Sequence, residues 1–415
     1  MTGTAIAERL AELLSPLVGG ELPVRLTAWD GSAAGPDDAP KVTLYSANVL
    51  RRLLWNPGEL GAAQAYVLGE LDVEGDLGEA LTHVWKVSAE RGLGPVAPTP
   101  SVILAAVRAA RSLGVFGRPL PPPVSQARVK GRLHSVSRDR AAIGHHYDLS
   151  NDFYSLILDK NMAYSSGYWT SDAPDYTLDD SQRDKLDLVC RKIGLDQARG
   201  QRLLDVGCGW GSLSVHAARE YGAHVVGVTI SAEQKAFVDA RVQSLGLGDR
   251  VEVRLQDYRE IPDGPYDAVA SIEMGEHVGE DNYPMYVKAL HDNVVEGGRV
   301  LIQQMSRTGA HPGGGPFIES FIAPDMYMRP VGRTVAMIEE GGLEVRDVQA
   351  LREHYVRTVD AWIETFESNF DRVVDLVGVE VARVWRLYLV GGGMAFRDGR
   401  MGVDQILSVR PSCLR

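Results

Sequence analysis

Short apolar runs alternate with amphipathic segments along the second half of the chain. Seven runs have the length and the apolar composition of buried strands: 202–206, 224–228, 251–255, 266–271, 299–303, 343–350 and 405–410. Helical periodicity begins near Ser212 after the first run and near Ala232 after the second. Because alternating strands and helices wind onto both faces of one sheet, we predict an α/β fold with a doubly wound, mostly parallel, seven-stranded Rossmann-like sheet.

The first 95 residues show a different pattern. An amphipathic helix opens the chain, and alternating segments at 24–29 and 41–45 predict short strands. Prolines between residues 119 and 123 follow a helical stretch over 101–113 and end it, because proline cannot continue a helix. We therefore predict three segments: a smaller N-terminal α+β domain over 1–115, a Pro-rich and basic linker over 116–140 and a larger domain over 141–415.

Composition narrows the class of protein. The chain is 45% hydrophobic and 24% charged, which is typical of a globular protein with well-formed cores. Its three cysteines lack metal-binding spacing, so neither a disulfide framework nor a zinc site is expected. The N-terminus has no basic leader, and no apolar run approaches the roughly 20 residues of a membrane span. We therefore expect a cytoplasmic protein.

Charge is distributed unevenly along the chain. The formal net charge of −12 argues against nucleic acid as a partner, since phosphate binding needs a basic face. Residues 107–140 contrast with the rest, because eight arginines or lysines stand against Asp139 alone. This segment predicts peripheral contact with an anionic membrane surface at the inner face of the cell membrane. The alternative is a solvated linker with scattered arginines, and the sequence does not decide between them.

The first predicted strand ends in a Gly-rich turn that runs from Asp205 to Gly211 and reads DVGCGWG. Gly207, Gly209 and Gly211 have the spacing G-x-G-x-G, whereas a dinucleotide-binding loop reads G-x-G-x-x-G. Asp205 would repel a pyrophosphate, but it tolerates a ligand that carries a positive sulfonium group. The turn therefore predicts S-adenosylmethionine as the ligand and a methyltransferase as the class of enzyme.

The next two strands also lead into polar residues. Thr229 stands where an acid would bind ribose hydroxyls, and Gln234 on the following helix could reach back to do so. Asp257 and Tyr258 follow the third strand, where an acid and an aromatic ring suit the edge and the face of adenine. Ligands bind at this edge of parallel sheets, although Tyr258 taken alone would more often be a core residue.

Several sequence blocks occur together in the order typical of one family: GHHYDLSNDFY at 144–154, MAYSSGYW at 162–169, LLDVGCGWG at 203–211, VTISAEQ at 228–234, LQDYR at 255–259 and EHVG at 276–279. With these blocks, the chain from about Ile143 to Arg410 resembles the cyclopropane fatty acid synthases, which include the mycolic acid cyclopropane synthases. Segments 24–32 and 53–60 resemble the actinobacterial branch that methylates oleoyl chains toward 10-methylstearate (tuberculostearate).

The resemblance implies an S-adenosylmethionine-dependent C-methyltransferase that acts on the cis double bond of an unsaturated acyl chain, here oleoyl, in a phospholipid. The residues at the family's donor-binding positions are Tyr164, Ser165, Gly207, Gly209, Thr229, Gln234 and Tyr258. In the family a bound bicarbonate ion is the general base. The positions that hold this ion carry Ser166, Glu276, Gln303, Met305 and Tyr355.

Two of the bicarbonate positions depart from the family pattern. Ser166 stands where the family has cysteine, which is harmless if the backbone holds the ion. Gln303 stands where the family has histidine. Its amide can donate a hydrogen bond, but it cannot accept and pass on a proton at neutral pH. Bicarbonate is expected as a bound cofactor, oriented by Glu276 and Tyr355. The alternative for Glu276 is an acidic residue at the start of a helix, where the helix dipole favours negative charge.

The moment of proton loss determines the product. Methylation of one alkene carbon leaves a cation on the other, and immediate loss of a proton from the new methyl group closes a cyclopropane ring. Hydride migration before proton loss gives an exocyclic methylene. Gln303 and the N-terminal resemblance favour a 10-methylene acyl lipid, with the cyclopropane as the alternative. A separate reductase would then act on the methylene, because the chain has no second dinucleotide loop.

Two other classes of protein stay open. One is a soluble small-molecule methyltransferase, and the other is a lipid-binding module with an inert methyltransferase half. Near the predicted site, Glu273 and Glu280 are expected to be solvated or structural. The sequence leaves acyl length, headgroup preference and oligomeric state open, and a homodimer is one option.

Overall fold

The computed structural model describes residues 5–93, 107–127 without 109 and 112, residue 138, residues 150–309 and residues 312–412. Much of the basic segment, most of the helical stretch predicted at 101–113 and residues 144–149 lie outside the described residues. Contacts divide the chain into two compact units. They are Met1–Gln126 with Gly378–Met394, and Ala127–Val377 with Ala395–Arg415.

The first unit contains a small mixed sheet with the strand order β2-β1-β3-β4. Its strands are β1 (Arg25–Thr27), β2 (Ala33–Ala34), β3 (Lys41–Leu44) and β4 (Leu71–Val73). Its helices before residue 94 are α1 (Ile6–Leu14), α2 (Asn48–Trp55), α3 (Glu59–Val67) and α4 (Leu77–Glu90). Leu10 of α1, Leu26 of β1 and Val49 of α2 meet in its core. The α+β character predicted for this part of the chain therefore agrees with its described elements.

A helical segment from the C-terminal part of the chain also belongs to the first unit. Gly378, with φ +80° and ψ 157°, interrupts the long helical stretch that includes it. Beyond this residue, Arg383 donates to the backbone oxygen of Tyr66 at 2.6 Å and pairs with Asp72 at 3.1 Å. The sequence-based division assigned this segment to the larger domain and residues 116–126 to a linker, whereas the contacts group both with the first unit.

The second unit is built on a seven-stranded sheet with the order β10-β11-β9-β8-β5-β6-β7. Its strands are β5 (Arg202–Val206), β6 (His224–Thr229), β7 (Val251–Leu255), β8 (Tyr266–Ile272), β9 (Val294–Arg307), β10 (Glu344–Ala350) and β11 (Met401–Val409). Strands β5 to β9 are parallel to one another, and β11 pairs antiparallel with both β9 and β10. The predicted mostly parallel, seven-stranded α/β fold is confirmed.

Helices cover both faces of this sheet. They are α5 (Asn151–Ser155), α6 (Leu178–Lys192), α7 (Ser212–Glu220), α8 (Ala232–Ser244), α9 (Tyr283–Asp292), α10 (Pro316–Phe321), α11 (Val331–Glu340), α12 (Arg352–Ser368) and α13 (Phe370–Arg397), the last of which continues into the first unit beyond Gly378. Successive side chains of a strand point to opposite faces, so Leu203 packs with α6 and α7, and Leu204 packs with α9 and α11. Among the described residues, no helix is long and apolar enough to span a membrane.

Candidate active site

A cavity of about 1160 Å³, its open mouth included, lies in the second unit at the carboxyl ends of β5 to β8. Parallel strands bring their carboxyl ends to the same edge, which is where ligands bind in sheets of this kind. Nine of the ten predicted donor-binding residues line the cavity: Tyr164, Ser165, Asp205, Gly207, Gly209, Thr229, Gln234, Asp257 and Tyr258. The geometry therefore brings together residues that are widely separated in the sequence.

The glycines of the turn after β5 differ in what they do. Gly207 and Gly209 line the cavity with φ values of +77° and +54°, a backbone region that favours glycine. Gly211, the tenth predicted residue, does not line the cavity. It has φ +75°, and a Cβ atom there would lie 2.7 Å from Cγ1 of Val238. The absence of a side chain at Gly211 therefore lets α7 begin close to α8.

Asp205 lies at the floor of the cavity and is only 2% exposed. Burial raises the pKa of its carboxyl group to about 6, and the hydroxyl of Ser214, which donates to Oδ2 at 2.7 Å, opposes this shift. The group is therefore still largely ionised at neutral pH. This places a negative charge next to the Gly-rich turn, as predicted for a site that binds a positively charged ligand.

The polar residues after β6 and β7 are already engaged with one another. The hydroxyl of Thr229 donates to Oε1 of Gln234 at 2.8 Å, and both residues line the cavity. Asp257 pairs with Arg259 at 2.7 Å, so its carboxylate is held in place and partly neutralised. Tyr258 also lines the cavity, and its ring meets Tyr286 edge to face at 5.6 Å.

A buried lysine completes the wall formed by Tyr164 and Ser165. Lys185 of α6 is 1% exposed, and its Nζ donates to the hydroxyl of Ser165 at 2.8 Å. Burial lowers the pKa of this lysine, and the nearby carboxylate of Glu273 opposes the shift. Sequence analysis missed Lys185. The signal that could have found it is its spacing from Ser181 and Val189, which places a charged residue on the apolar face of α6.

Glu273, which was expected to be solvated or structural, lies inside the site. It follows β8 directly, lines the cavity and has φ +50°, which is unusual for a residue with a side chain. Its Oε1 accepts hydrogen bonds from the backbone N–H of Ser166 at 3.0 Å and from Nε2 of Gln303 at 2.8 Å. Its Oε2 accepts one from the hydroxyl of Tyr355 at 2.8 Å. The expectation that this carboxylate is solvated was wrong, because three donors from separate segments converge on it.

The other acid expected to be solvated or structural, Glu280, is indeed away from the cavity wall. It pairs with Arg329 at 2.9 Å and keeps a third of its side chain exposed. Glu276 and Met305 are the two predicted bicarbonate residues that do not contact Glu273. They lie beside each other, since the backbone N–H of Met305 donates to the carboxyl group of Glu276.

Glu276 is 2% exposed, and its Oε2 has no hydrogen-bond partner among the described residues. Burial, followed by the nearby Glu273 carboxylate, raises the pKa of this group to about 8. Glu276 therefore carries a proton at neutral pH. It does not line the cavity, so the structure does not present it as a donor-contacting residue.

Bicarbonate does not fit the group of residues predicted to bind it. The backbone N–H of Ser166, the amide of Gln303 and the hydroxyl of Tyr355 all donate to the Glu273 carboxylate. The hydroxyl of Ser166 donates to the backbone oxygen of Gly167 at 2.9 Å and is not aimed at a ligand. A second anion at this place would meet the half-buried Glu273 carboxylate and find its hydrogen-bond donors already taken.

Aromatic rings continue from the cavity wall toward Glu273. Tyr164 lies 5.4 Å from Trp362, which lies 5.9 Å from Tyr355. On its other side, Tyr355 packs against Phe396 at 4.4 Å. Aromatic faces attract positive charge and exclude water, so this row of rings suits a reaction that passes through a cation.

The cavity does fit S-adenosylmethionine. Bare backbone at Gly207 and Gly209 allows close approach of a ligand, and Ser212 and Leu213, which begin α7, also line the cavity. The carboxylate of Asp205 places a negative charge in the wall, which complements a sulfonium. The binding roles of the individual residues stay predictions.

Comparison with known proteins shows the family of the chain. Residues 134–406 match the family model described as mycolic acid cyclopropane synthetase. A probable fatty acid methyltransferase of Pseudomonas putida is 38% identical over 97% of this chain and 95% of its own length. Tuberculostearic acid methyltransferase UfaA1 of Mycobacterium tuberculosis is 34% identical over 98% of this chain and 91% of its own.

The fold is similar to that of a solved structure as well. The mycolic acid cyclopropane synthase CmaA1, complexed with SAH and CTAB, superimposes with a TM-score of 0.61 and is 31% identical. The match covers 98% of that protein but 65% of this chain. The two fatty acid methyltransferases are thus similar to the chain over nearly its whole length, and the cyclopropane synthase is similar to part of it.

Proposed function

The chain belongs to the mycolic acid cyclopropane synthetase family, and from this premise we propose that it methylates one carbon of the cis double bond in an unsaturated fatty acyl chain. The proposed substrate is an oleoyl chain carried by a phospholipid, and the methyl donor is S-adenosylmethionine. The observation that carries the proposal is the row of aromatic rings that runs from the donor cavity through Tyr164 and Trp362 to Tyr355.

An alkene is a weak nucleophile with no acidic proton, so no side chain can activate it by removing one. Bound in the cavity, S-adenosylmethionine supplies an electrophilic methyl group for the π electrons to attack. The chain contributes by holding the two reactants in line, and positioning of this kind can supply about 7–11 kcal/mol of the barrier. The rigid turn at Gly207 and Gly209 and the ion pair of Asp257 with Arg259 serve this purpose.

Methylation leaves a cation on the second alkene carbon, and water would trap it. The rings of Tyr164 and Trp362 and the buried face of Tyr355 can stabilise positive charge and keep water away. A small-molecule methyltransferase that acts on oxygen or nitrogen forms no carbocation and has no need of such a row of aromatic rings. The row of rings therefore supports the alkene as the substrate.

We favour a 10-methylene product, with a cyclopropane ring at the same bond as the second candidate. The methylene is supported by the similarity to tuberculostearic acid methyltransferase over 98% of the chain. The cyclopropane is supported by the description of the matching family model and by the solved cyclopropane synthase. A methylene product would need a separate reductase to become a methyl branch.

The test is turnover of labelled donor by the purified protein with vesicles of dioleoyl phospholipid. We expect the label in the acyl chain, and mass spectrometry after ozonolysis distinguishes a methylene from a cyclopropane. Vesicles of distearoyl phospholipid are the matched control, since they lack the double bond. Label transfer that is equal with both lipids, or that is seen only with small amines or phenols, would contradict the proposal.

We further propose that the enzyme works at the cytoplasmic face of the membrane. Four large aromatic side chains of the first unit are exposed, namely Tyr45 at 62%, Trp55 at 48%, Trp85 at 43% and Phe116 at 48%. Together with the basic segment 107–140, they would allow peripheral contact with anionic lipid. Sedimentation with vesicles should show binding that increases with the fraction of anionic lipid and decreases with salt concentration.

The oligomeric state is a separate question. Light scattering in the same buffers would show whether the enzyme is a homodimer.

A further inference from the structure

One carboxylate occupies the place where the family resemblance puts a bicarbonate ion. The donors at this place are the backbone N–H of Ser166, the amide of Gln303 and the hydroxyl of Tyr355. All three donate to the side chain of Glu273, at 3.0, 2.8 and 2.8 Å. A carboxylate has the same planar pair of oxygens as bicarbonate, so the side chain satisfies the same donors.

Of the two neighbouring acids Glu273 and Glu276, the surroundings favour ionisation of Glu273 alone. Its neighbour Glu276 has a pKa raised to about 8 and is therefore protonated at neutral pH. Burial also raises the pKa of Glu273, while the three donors and Lys185 oppose the shift. Of two interacting acids, the one with hydrogen-bond donors and a nearby ammonium group holds the negative charge. Glu276 has an unpartnered Oε2 instead.

We infer that the side chain of Glu273 is the general base of the reaction and replaces the bicarbonate ion that has this role in the family. This inference rests on the proposed function, because a base is needed only if a carbocation forms. It also agrees with the backbone of Glu273, whose φ of +50° holds the side chain at the cavity wall. Strained backbone of this kind is typical of functional residues, which the surrounding structure holds in place.

The step is a proton transfer from carbon to oxygen. After methyl transfer, the sulfonium has become a neutral thioether and the positive charge lies on the acyl chain. Glu273 takes one proton from the methyl-derived carbon and becomes a carboxylic acid. The electron pair of the broken C–H bond forms the second bond of the methylene or the last bond of the cyclopropane ring. The acid then returns its proton to solvent when the product leaves.

This assignment explains both departures from the family pattern. If Glu273 is the base, position 303 must supply a hydrogen-bond donor to its carboxylate. Glutamine does so, and unlike histidine it does not compete with Glu273 for the proton of the substrate. The amide is oriented by Gln405, whose Nε2 donates to Oε1 of Gln303 at 3.0 Å. Ser166 contributes through its backbone N–H, so its side chain is not required to contact the base.

The first test compares Glu273→Gln with wild-type protein and with Glu296→Gln, a change of the same type at an exposed position near the start of β9. We expect Glu273→Gln to bind S-adenosylmethionine within a few-fold of wild type by calorimetry and to lose about 100-fold or more in turnover. Glu296→Gln should match wild type in both. Turnover of Glu273→Gln above a tenth of wild type would overturn the inference.

The second test asks whether an added anion can replace the side chain. Glycine accepts the positive φ at position 273, so Glu273→Gly should fold and leave the donors of Ser166, Gln303 and Tyr355 free. We expect bicarbonate or formate at millimolar concentration to raise its turnover at least 10-fold. Wild-type turnover should be equal with and without bicarbonate. If Glu273 has a purely structural role, added anions should not restore the turnover of Glu273→Gly. The inference would be overturned by this result, or by a wild-type protein that requires bicarbonate for turnover.

Failure of the proposed function and failure of Glu273 as the base give different experimental results. If wild-type protein binds S-adenosylmethionine but methylates no unsaturated lipid, the proposed function is wrong. If wild-type protein methylates the lipid and only the behaviour of the Glu273 variants differs from expectation, the proposed function stands and the base is another group.

Discussion

The amide nitrogen of Gln303, on β9, donates across 2.8 Å to Oε1 of Glu273, which directly follows the neighbouring strand β8. Gln303 pairs with Ile272 in the parallel register of β8 and β9, and Glu273 is the next residue after this pair. The backbone N–H of Glu273 also donates to the oxygen of Gln303 at 2.6 Å. Backbone and side chain together hold the carboxylate at the carboxyl edge of the sheet.

Replacement of Gln303 by Glu should shift the pH dependence of turnover. The base is active only as a carboxylate, so turnover falls as the pH drops through its pKa. Burial already raises this pKa, and the groups that face Glu273 are Lys185, Tyr355 and the protonated Glu276. A second carboxyl group at hydrogen-bond distance disfavours ionisation of the pair, so we expect the acidic limb to move up by about one pH unit or more.

The control for this prediction is Gln197→Glu, the same change at an exposed position outside the cavity. Profiles of turnover against pH, measured with saturating donor, should coincide for this control and wild type. An acidic limb of Gln303→Glu that coincides with that of wild type would show that Glu273 does not set the pH dependence.

Replacement of Tyr355 by Phe should slow turnover without loosening the fold. The change removes the hydroxyl that donates to Oε2 of Glu273 at 2.8 Å. The ring can still pack against Phe396 and Trp362, so the cost in the free energy of unfolding should be about 1 kcal/mol. We expect turnover to fall by about 10-fold, because a weaker hydrogen-bonded base is less well positioned.

Turnover and thermal denaturation of Tyr355→Phe would be measured side by side with those of Tyr221→Phe, which removes a hydroxyl that donates to Asp187 at 3.0 Å outside the cavity. If the Tyr355→Phe variant keeps wild-type turnover, its hydroxyl has no part in positioning the base.

Much of the fold could be predicted from the sequence. The alternation of apolar strands and amphipathic helices depends on local periodicity, which is why all seven strands of the large sheet were found. What periodicity could not show is that Gly378–Met394 belongs with the first unit. The interruption at Gly378 has a positive φ, and a helical pattern continues on both sides of it, so the sequence offers no visible break.

The candidate site was predicted in part. The Gly-rich turn and the residues after β6 and β7 follow from the rule that ligands bind at the carboxyl ends of parallel strands. The same rule could have drawn attention to Glu273, which directly follows β8. The sequence could not show that its side chain meets Ser166 and Tyr355, because these contacts join segments 107 and 82 residues away.

Two glycines of the same turn should respond differently to replacement by alanine. Gly209 lines the cavity, and a Cβ atom there would meet no protein atom within 4 Å. Gly211 lies outside the cavity, and its Cβ atom would lie 2.7 Å from Val238. Both have positive φ, which costs about 1–2 kcal/mol for a residue with a side chain.

We therefore expect Gly209→Ala to weaken binding of S-adenosylmethionine more than Gly211→Ala does, and Gly211→Ala to lower the melting temperature more. Calorimetric titration and thermal denaturation of both variants measure the two effects. The same order of the variants in both measurements would contradict the separate roles of these glycines.

Replacement of Glu276 by Gln should change how stability depends on pH. The pKa of Glu276 is raised to about 8 in the folded protein, while an unfolded chain has the ordinary value near 4.5. Between these values the folded state holds a proton that the unfolded state has lost, so this group makes stability fall as pH rises. The slope for one such proton is about 1.4 kcal/mol per pH unit. Glutamine does not titrate, so Glu276→Gln should lose less stability than wild type between pH 6 and 8. Urea denaturation at several pH values measures the difference, and parallel curves for the two proteins would mean that Glu276 is not protonated in the fold.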